Sequence, residues 1–254
     1  MVIFMLRFVQ VIVCNLPRIY MIPRMAYMAA HPEKYNEERC YKYARLAIRR
    51  MMRSGHIHTQ AHGLENLPKE GGYIMFPNHQ GKYDALGIMY THNKPCSVVI
   101  DDAKSHMILT SQFIDLVKGK RMVKDDIRQS IKIIKELSEE AKAGRKFIIF
   151  PEGGYDHNHN RVCDFKPGSF KSAMKAKVPI VPVVLVDSYK VFEEWSLRSV
   201  TTQVHYLPAI YYQDYKDMTT VEVADMVNKR IRKYIRSILC KEGFDNERSI
   251  SHHQ

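Results

Sequence analysis

The stretch PNHQGKYDALGI (77–88) sets His79 five places before Asp84. A neutral imidazole can take a proton from a hydroxyl. A carboxylate on its far nitrogen fixes the tautomer and stabilises the imidazolium that forms. The spacing alone is weak evidence, because a chain with 12 histidines repeats it at His159 and Asp164. Context separates the two copies. The first follows an apolar run and opens into ALGIMY, a credible helix start; the second lies in a polar loop. On one regular helix, residues five apart point about 140° away from each other. The pair can therefore meet only if His79 lies at or before an N-cap and Asp84 in the first turns. A structural capping pair is the competing reading. No G-x-S-x-G supplies a serine nucleophile. A base without its own nucleophile suits direct attack of a substrate hydroxyl on an acyl group.

A second chemical element is IIFPEGGYD (148–156). A buried strand ending at Pro151 would deliver Glu152, Gly153 and Gly154 into a tight loop at a sheet end, where sites gather. Glu152 either faces a ligand or braces its own loop. His56, His58 and His62, and separately His157 and His159, read as polar-face or loop residues rather than metal ligands, so no metal site is expected. There is no H-E-x-x-H, Walker loop or G-x-G-x-x-G, which removes support for zinc protease, NTPase and dinucleotide readings.

The elements that must position these groups are legible as an α/β pattern from residue 56 onward. HIHTQAH, GGYIMFP, CSVVID, KFIIF, VPIVPVVLVD and QVHYLPAI read as strands. Residues around Ile127, Ile131, Ile134 and Ala141 read as a helix ending near Gly144, and Val221–Leu239 as another. The expected fold is a mixed, largely buried sheet covered by helices. Residues 1–55 form a separate N-terminal part before the 56–254 α/β domain. There, Cys40, Ala44, Ala47, Ile48 and Met51 share one helix face, opposite Lys42, Arg45, Arg49 and Arg53. With the apolar start up to Pro17, this reads as a pair of helices able to dock on an anionic bilayer. For the second helix, packing on the protein's own core is an equal alternative. No run reaches the roughly 18 residues that a spanning helix needs.

With 254 residues, 45% of them hydrophobic, the chain can build a real core. A formal charge of +12 favours anionic partners such as head groups, phosphorylated substrates or acyl carriers. The five scattered cysteines form no C-x-x-C and read as packing residues in a reducing compartment. No nucleic-acid motif appears, so a nucleic-acid partner is not expected.

In order and spacing, N-H-x-x-x-x-D, F-P-E-G, F-K-x-G (165–168) and V-P-I-V-P-V (178–183, including Pro182) resemble the glycerolipid acyltransferase family, whose familiar members are 1-acylglycerol-3-phosphate acyltransferases. The resemblance spans Leu64–Val186. It implies transfer of a fatty acyl group from acyl-CoA or acyl-carrier protein to the hydroxyl of 1-acylglycerol 3-phosphate, giving phosphatidate. It also implies no cofactor and a monotopic seat on the cytoplasmic face of a membrane. By position, His79 is the base, Asp84 its partner, and Glu152 and Gly153 shape the acceptor site. Lys104 in DDAKSH matches a lysine that the family places after the histidine motif. Two departures bear on the acceptor. Gly154 and Tyr155 stand where the family has Thr-Arg, and Lys124 in GKRMVKDD stands where its middle motif ends in arginine. Gly81 also stands at a place that is often serine. Lysine does not reproduce a guanidinium's planar fork, so Lys104, Arg121 and Lys124 are the candidates for phosphate capture. Another lysolipid or glycolipid acceptor, or a non-catalytic lipid-binding relative, are the alternatives.

Overall fold

The computed structural model describes residues 6–123 and 126–251, with side chains described as far as Cys240. Three helices lead the chain: α1 (Leu6–Asn15), α2 (Met21–Ala30) and α3 (Glu37–Ser54). The start of α3 is set by Asn36, whose side-chain oxygen accepts the Arg39 N–H at 2.9 Å. Strand β1 (Ile57–His62), β2 (Tyr73–Pro77), helix α4 (Asp84–Thr91) and β3 (Ser97–Asp101) follow. Short helices α5 (Asp102–Ser105) and α6 (Thr110–Leu116) then lead into β4 (Lys120–Met122), α7 (Ile127–Lys142) and β5 (Lys146–Ile148). The chain continues through α8 (Lys171–Ala176), β6 (Ile180–Val186), α9 (Lys190–Glu193) and β7 (Val200–Tyr206). It closes with α10 (Tyr212–Tyr215) and α11 (Thr220–Ser251).

The seven strands form one sheet in the order β1-β7-β6-β2-β5-β3-β4. Strands β6, β2, β5, β3 and β4 run parallel, β7 runs antiparallel to β6, and β1 runs parallel to β7. The expected mixed sheet covered by helices is what the chain forms. Every residue of β2 and of β6 is buried. That is why both read as unbroken apolar runs rather than alternating ones. One face of the sheet packs with α3 and α4 (Ala44, Ile48, Ile88, Met89 with Met75 and Val183). The other packs with α7, α8 and α11 (Leu137, Ala173, Val227 with Phe76 and Val184).

The structure decides between the two readings of α3, shows which face of α7 is buried, and corrects the reading of all five cysteines as packing residues. The apolar side of α3 buries Cys40, Tyr41, Ala44, Ile48 and Met52 in the protein's own core. That face is not available to a bilayer, and Arg45, expected on the solvent side, donates to the Tyr90 carbonyl at 2.7 Å. In α7 the buried stripe is Ile133, Leu137 and Ala141, while Ile127 and Ile131 are exposed. The cysteines also divide: Cys40 and Cys96 are buried, but Cys14, Cys163 and Cys240 are exposed.

By contrast, α1 presents Phe8, Val9, Ile12 and Val13 to solvent, continued by Leu16, Ile19 and Tyr20. It is held to the body by Arg7, whose buried guanidinium donates to the carbonyls of Lys190, Val191 and Arg198. Among the described residues no helix is long and apolar enough to cross a membrane.

Candidate active site

Strand β2 ends at Pro77, and the chain must turn before α4 can begin. Asn78 anchors that turn. Its side-chain amide donates to the Leu185 carbonyl (3.1 Å), and its oxygen accepts the Leu185 N–H (2.7 Å). Gln80 does the same further on, donating to Leu185 O and accepting Ser188 N–H, both at 2.8 Å. The loop between them is thus riveted to the end of β6, and His79 projects from it.

Asp84 is the first residue of α4 and is wholly buried. Its Oδ2 accepts the backbone N–H groups of Gln80 (2.5 Å) and Gly81 (2.9 Å) and faces His79 Nδ1 at 2.7 Å. Its Oδ1 accepts the Ser188 hydroxyl at 2.5 Å. The stereochemical condition on a histidine and an aspartate five apart is therefore met: His79 precedes the helix and Asp84 opens it. With Nδ1–H donated to the carboxylate, Nε2 carries the free lone pair, and among the described residues nothing hydrogen-bonds to it. The ring stacks on Phe150 (4.1 Å between centroids, 25°) and meets the edge of Tyr155 (4.6 Å, 72°). Its side chain is 16% exposed.

Glu152 does not reach out to solvent. Its Oε1 accepts the His79 backbone N–H at 3.0 Å, and its Oε2 accepts the Asn158 amide at 3.2 Å. Burial raises its pKa, opposed by the hydrogen bonds from the His79 N–H and from the thiol and backbone N–H of Cys163. The same Asn158 amide donates to the His79 carbonyl at 2.8 Å. Both peptide groups of His79 are thus held from the 152–158 loop. Gly153 adopts φ +73°, a conformation that favours glycine, whereas a Cβ there would displace only the flexible end of Lys166. Gly154 borders open space.

The three basic candidates separate. Lys104 Nζ sits over the Tyr155 ring, 5.0 Å from its centroid, so Tyr155 touches both Lys104 and His79. The guanidinium of Arg121 is taken up by Asp115 (2.7 Å), Ser105 Oγ (3.0 Å) and Ser111. It braces the residue next to Lys104. Lys124 lies outside the described residues. Sequence reasoning missed Asn78, Gln80, Phe150, Asn158 and Ser188. Asn78 and Phe150 stand inside the quoted N-H-x-x-x-x-D and F-P-E-G motifs and Gln80 beside the candidate base, whereas Asn158 and Ser188 carried no signal.

The fold and this paired base at a sheet end define an acyltransferase-type architecture. The structure is similar to the crystal structure of the 1-acyl-sn-glycerophosphate (LPA) acyltransferase PlsC from Thermotoga maritima, with a TM-score of 0.71. The match covers 92% of this chain and 97% of that one at 16% identity. A family model described as Acyltransferase matches residues 58–186. The chain belongs to the Acyltransferase family, as the order of its motifs led us to expect. It is 26% identical over 189 residues to the 1-acyl-sn-glycerol-3-phosphate acyltransferase of Borreliella burgdorferi, covering 69% of this chain and 71% of that protein. It is 28% identical over 189 residues to 1-acyl-sn-glycerol-3-phosphate acyltransferase alpha of Ovis aries, covering 72% of this chain and 64% of that protein. The match thus spans under two thirds of the sheep protein's length.

Proposed function

We propose that this chain transfers a fatty acyl group from an acyl thioester, acyl-CoA or acyl-carrier protein, to the free hydroxyl of 1-acylglycerol 3-phosphate, giving phosphatidate. The observation that carries this reading is the His79–Asp84 pair, with nothing among the described residues, nucleophile or otherwise, hydrogen-bonded to its Nε2. In the proposed step Nε2 takes the hydroxyl proton as the substrate oxygen attacks the thioester carbonyl. A carbon–oxygen bond forms, the carbon–sulfur bond breaks, and the proton passes from the imidazolium to the departing thiolate. Asp84 holds the tautomer and offsets the imidazolium charge. A positioned base of this kind contributes on the order of 10²–10⁴ in rate.

For the acceptor phosphate we assign Lys104, presented by Tyr155 close to His79. Arg121 acts through Ser105 as a positioning residue, and Glu152 and Gly153 shape the loop. We further propose that α1 seats the protein on the cytoplasmic face of an anionic membrane. Its exposed apolar residues support this, as does the 194–199 segment tied to it through Arg7. That segment exposes Trp195 (65%) and Leu197 (44%). Met107, Ile108 and Leu109, also exposed, precede α6, which packs on α2.

A second reading rests on Tyr155. Lacking a guanidinium at that place, the site would take another lysolipid or a glycolipid as acceptor. Thiol release from long-chain acyl-CoA by purified protein in vesicles separates these readings. Release that needs both 1-acylglycerol 3-phosphate and His79 supports phosphatidate synthesis. Release with a different lysolipid alone favours the second reading. Absence of release with a panel of donors and acceptors points to a non-catalytic lipid-binding relative.

A further inference from the structure

We infer that His157, His159 and Glu193 form a site for a divalent transition metal of the zinc class. The fold brings a carboxylate ligand to the two histidines from α9. His157 Nδ1 lies 3.3 Å from Glu193 Oε2, and His159 Nε2 lies 3.7 Å from the same oxygen. All three ligating atoms fall within 4.8 Å of one another. A zinc ion about 2.0–2.1 Å from nitrogen and about 2.0–2.2 Å from oxygen, in tetrahedral geometry, separates its ligands by about 3.3 Å. Two of the edges already approach that length. Two imidazoles and one carboxylate suit zinc, nickel or copper and not the all-oxygen shells that magnesium and calcium prefer.

The backbone points the same way. His157 and His159 both have positive φ (45° and 49°), a conformation that non-glycine residues adopt at a cost. The result is an alternation: both histidines turn to Glu193, while Asn158 between them turns inward to the His79 carbonyl and Glu152. His159 is further fixed by stacking on Tyr189, 4.2 Å between centroids. One residue on, Asn160 accepts from Gln80 and donates to Asp187, both at 2.8 Å. A metal at this place ties the 155–160 loop to α9 and so holds the loop that grips His79. His157 and His159 are 74% and 55% exposed, which leaves the remaining coordination positions to water. The site is distinct from the proposed acyl-transfer chemistry and does not rest on it.

The test uses the tag-free full chain, stripped with chelator and titrated with Zn²⁺ by calorimetry and with Co²⁺ by visible absorption. His157→Ala, His159→Ala and Glu193→Gln are compared with a His252→Ala/His253→Ala control that removes the histidine pair near the C-terminus. One equivalent per chain is expected, weakened at least about tenfold in each site variant and unchanged in the control. Zn²⁺ should also raise Tm in the parent but not in the site variants. Absence of saturable binding would overturn the inference, as would binding that survives in the site variants or is lost only in the control.

Discussion

The Ser188 hydroxyl, just beyond β6, donates to Asp84 Oδ1 at the start of α4 across a 2.5 Å contact. The buried carboxylate thereby has both oxygens engaged, Oδ2 by His79 and two backbone N–H groups and Oδ1 by Ser188. Losing the hydroxyl leaves Oδ1 without this donor in a buried site, at a cost of about 1.5–3 kcal/mol for a bond to a charged group. Ser188→Ala should lower kcat by about tenfold or more at nearly unchanged KM. Asp84→Asn should lower kcat by roughly 10²–10⁴ with the fold retained by circular dichroism. Near-normal turnover in Asp84→Asn would remove the carboxylate from the mechanism.

Tyr155 presents Lys104 by a cation–π contact. At an exposed position that contact is worth about 0.5–1 kcal/mol, so Tyr155→Ala should raise KM for a phosphate-bearing acceptor about two- to fivefold. Tyr155→Phe keeps the ring and should behave like the parent. Steady-state kinetics at saturating donor decides the matter. An equal loss in Phe and Ala would assign the role to the hydroxyl instead.

Two histidines are held neutral by the fold. Burial lowers the pKa of His92 from 6.5 to about 4, reinforced by nearby Lys146 and Lys94. Its ring sits between the Tyr73 hydroxyl (2.6 Å) and the Lys94 carbonyl (2.6 Å). Burial likewise lowers His205 from 6.5 to about 4, with His62 stacked on it at 4.4 Å. The unfolded chain takes up these protons near pH 6.5, whereas the native chain resists until about pH 4. The stability they contribute is thus complete above pH 6.5 and is lost as pH falls toward 4. The slope is about 1.4 kcal/mol per pH unit for each group. Urea unfolding at a series of pH values should show this acid loss, and His92→Gln should flatten it by about one proton.

If α1 meets lipid, a charge on its exposed face should weaken that contact without touching the core. Val13 is 55% exposed. Val13→Asp in the full chain should reduce co-sedimentation with anionic vesicles severalfold and leave Tm within a degree or two, as surface changes usually do. Unchanged sedimentation would move the docking surface elsewhere.

Much of this protein was legible locally. Strands β2 and β6 announced themselves as unbroken apolar runs, and α3 by its 3.6-residue stripe, because burial on one face or two leaves a periodic mark on neighbouring residues. The pairing of His79 with Asp84 was readable for the same reason: both belong to one strand-to-helix turn. Whether the stripe of α3 faced lipid or core was not readable, since both environments select the same apolar residues. Tertiary structure decided that, by placing the stripe in one buried core with Met89 and Tyr206. It also decided what reaches the site from a distance. Ser188 meets Asp84, Asn158 meets the His79 carbonyl, and Glu193 meets His157 only because β2 lies between β6 on one side and β5 on the other. Strand order is set by the summed burial of many side chains and not by any local spacing, so a short motif displays its own turn but not the partners that the sheet brings to it.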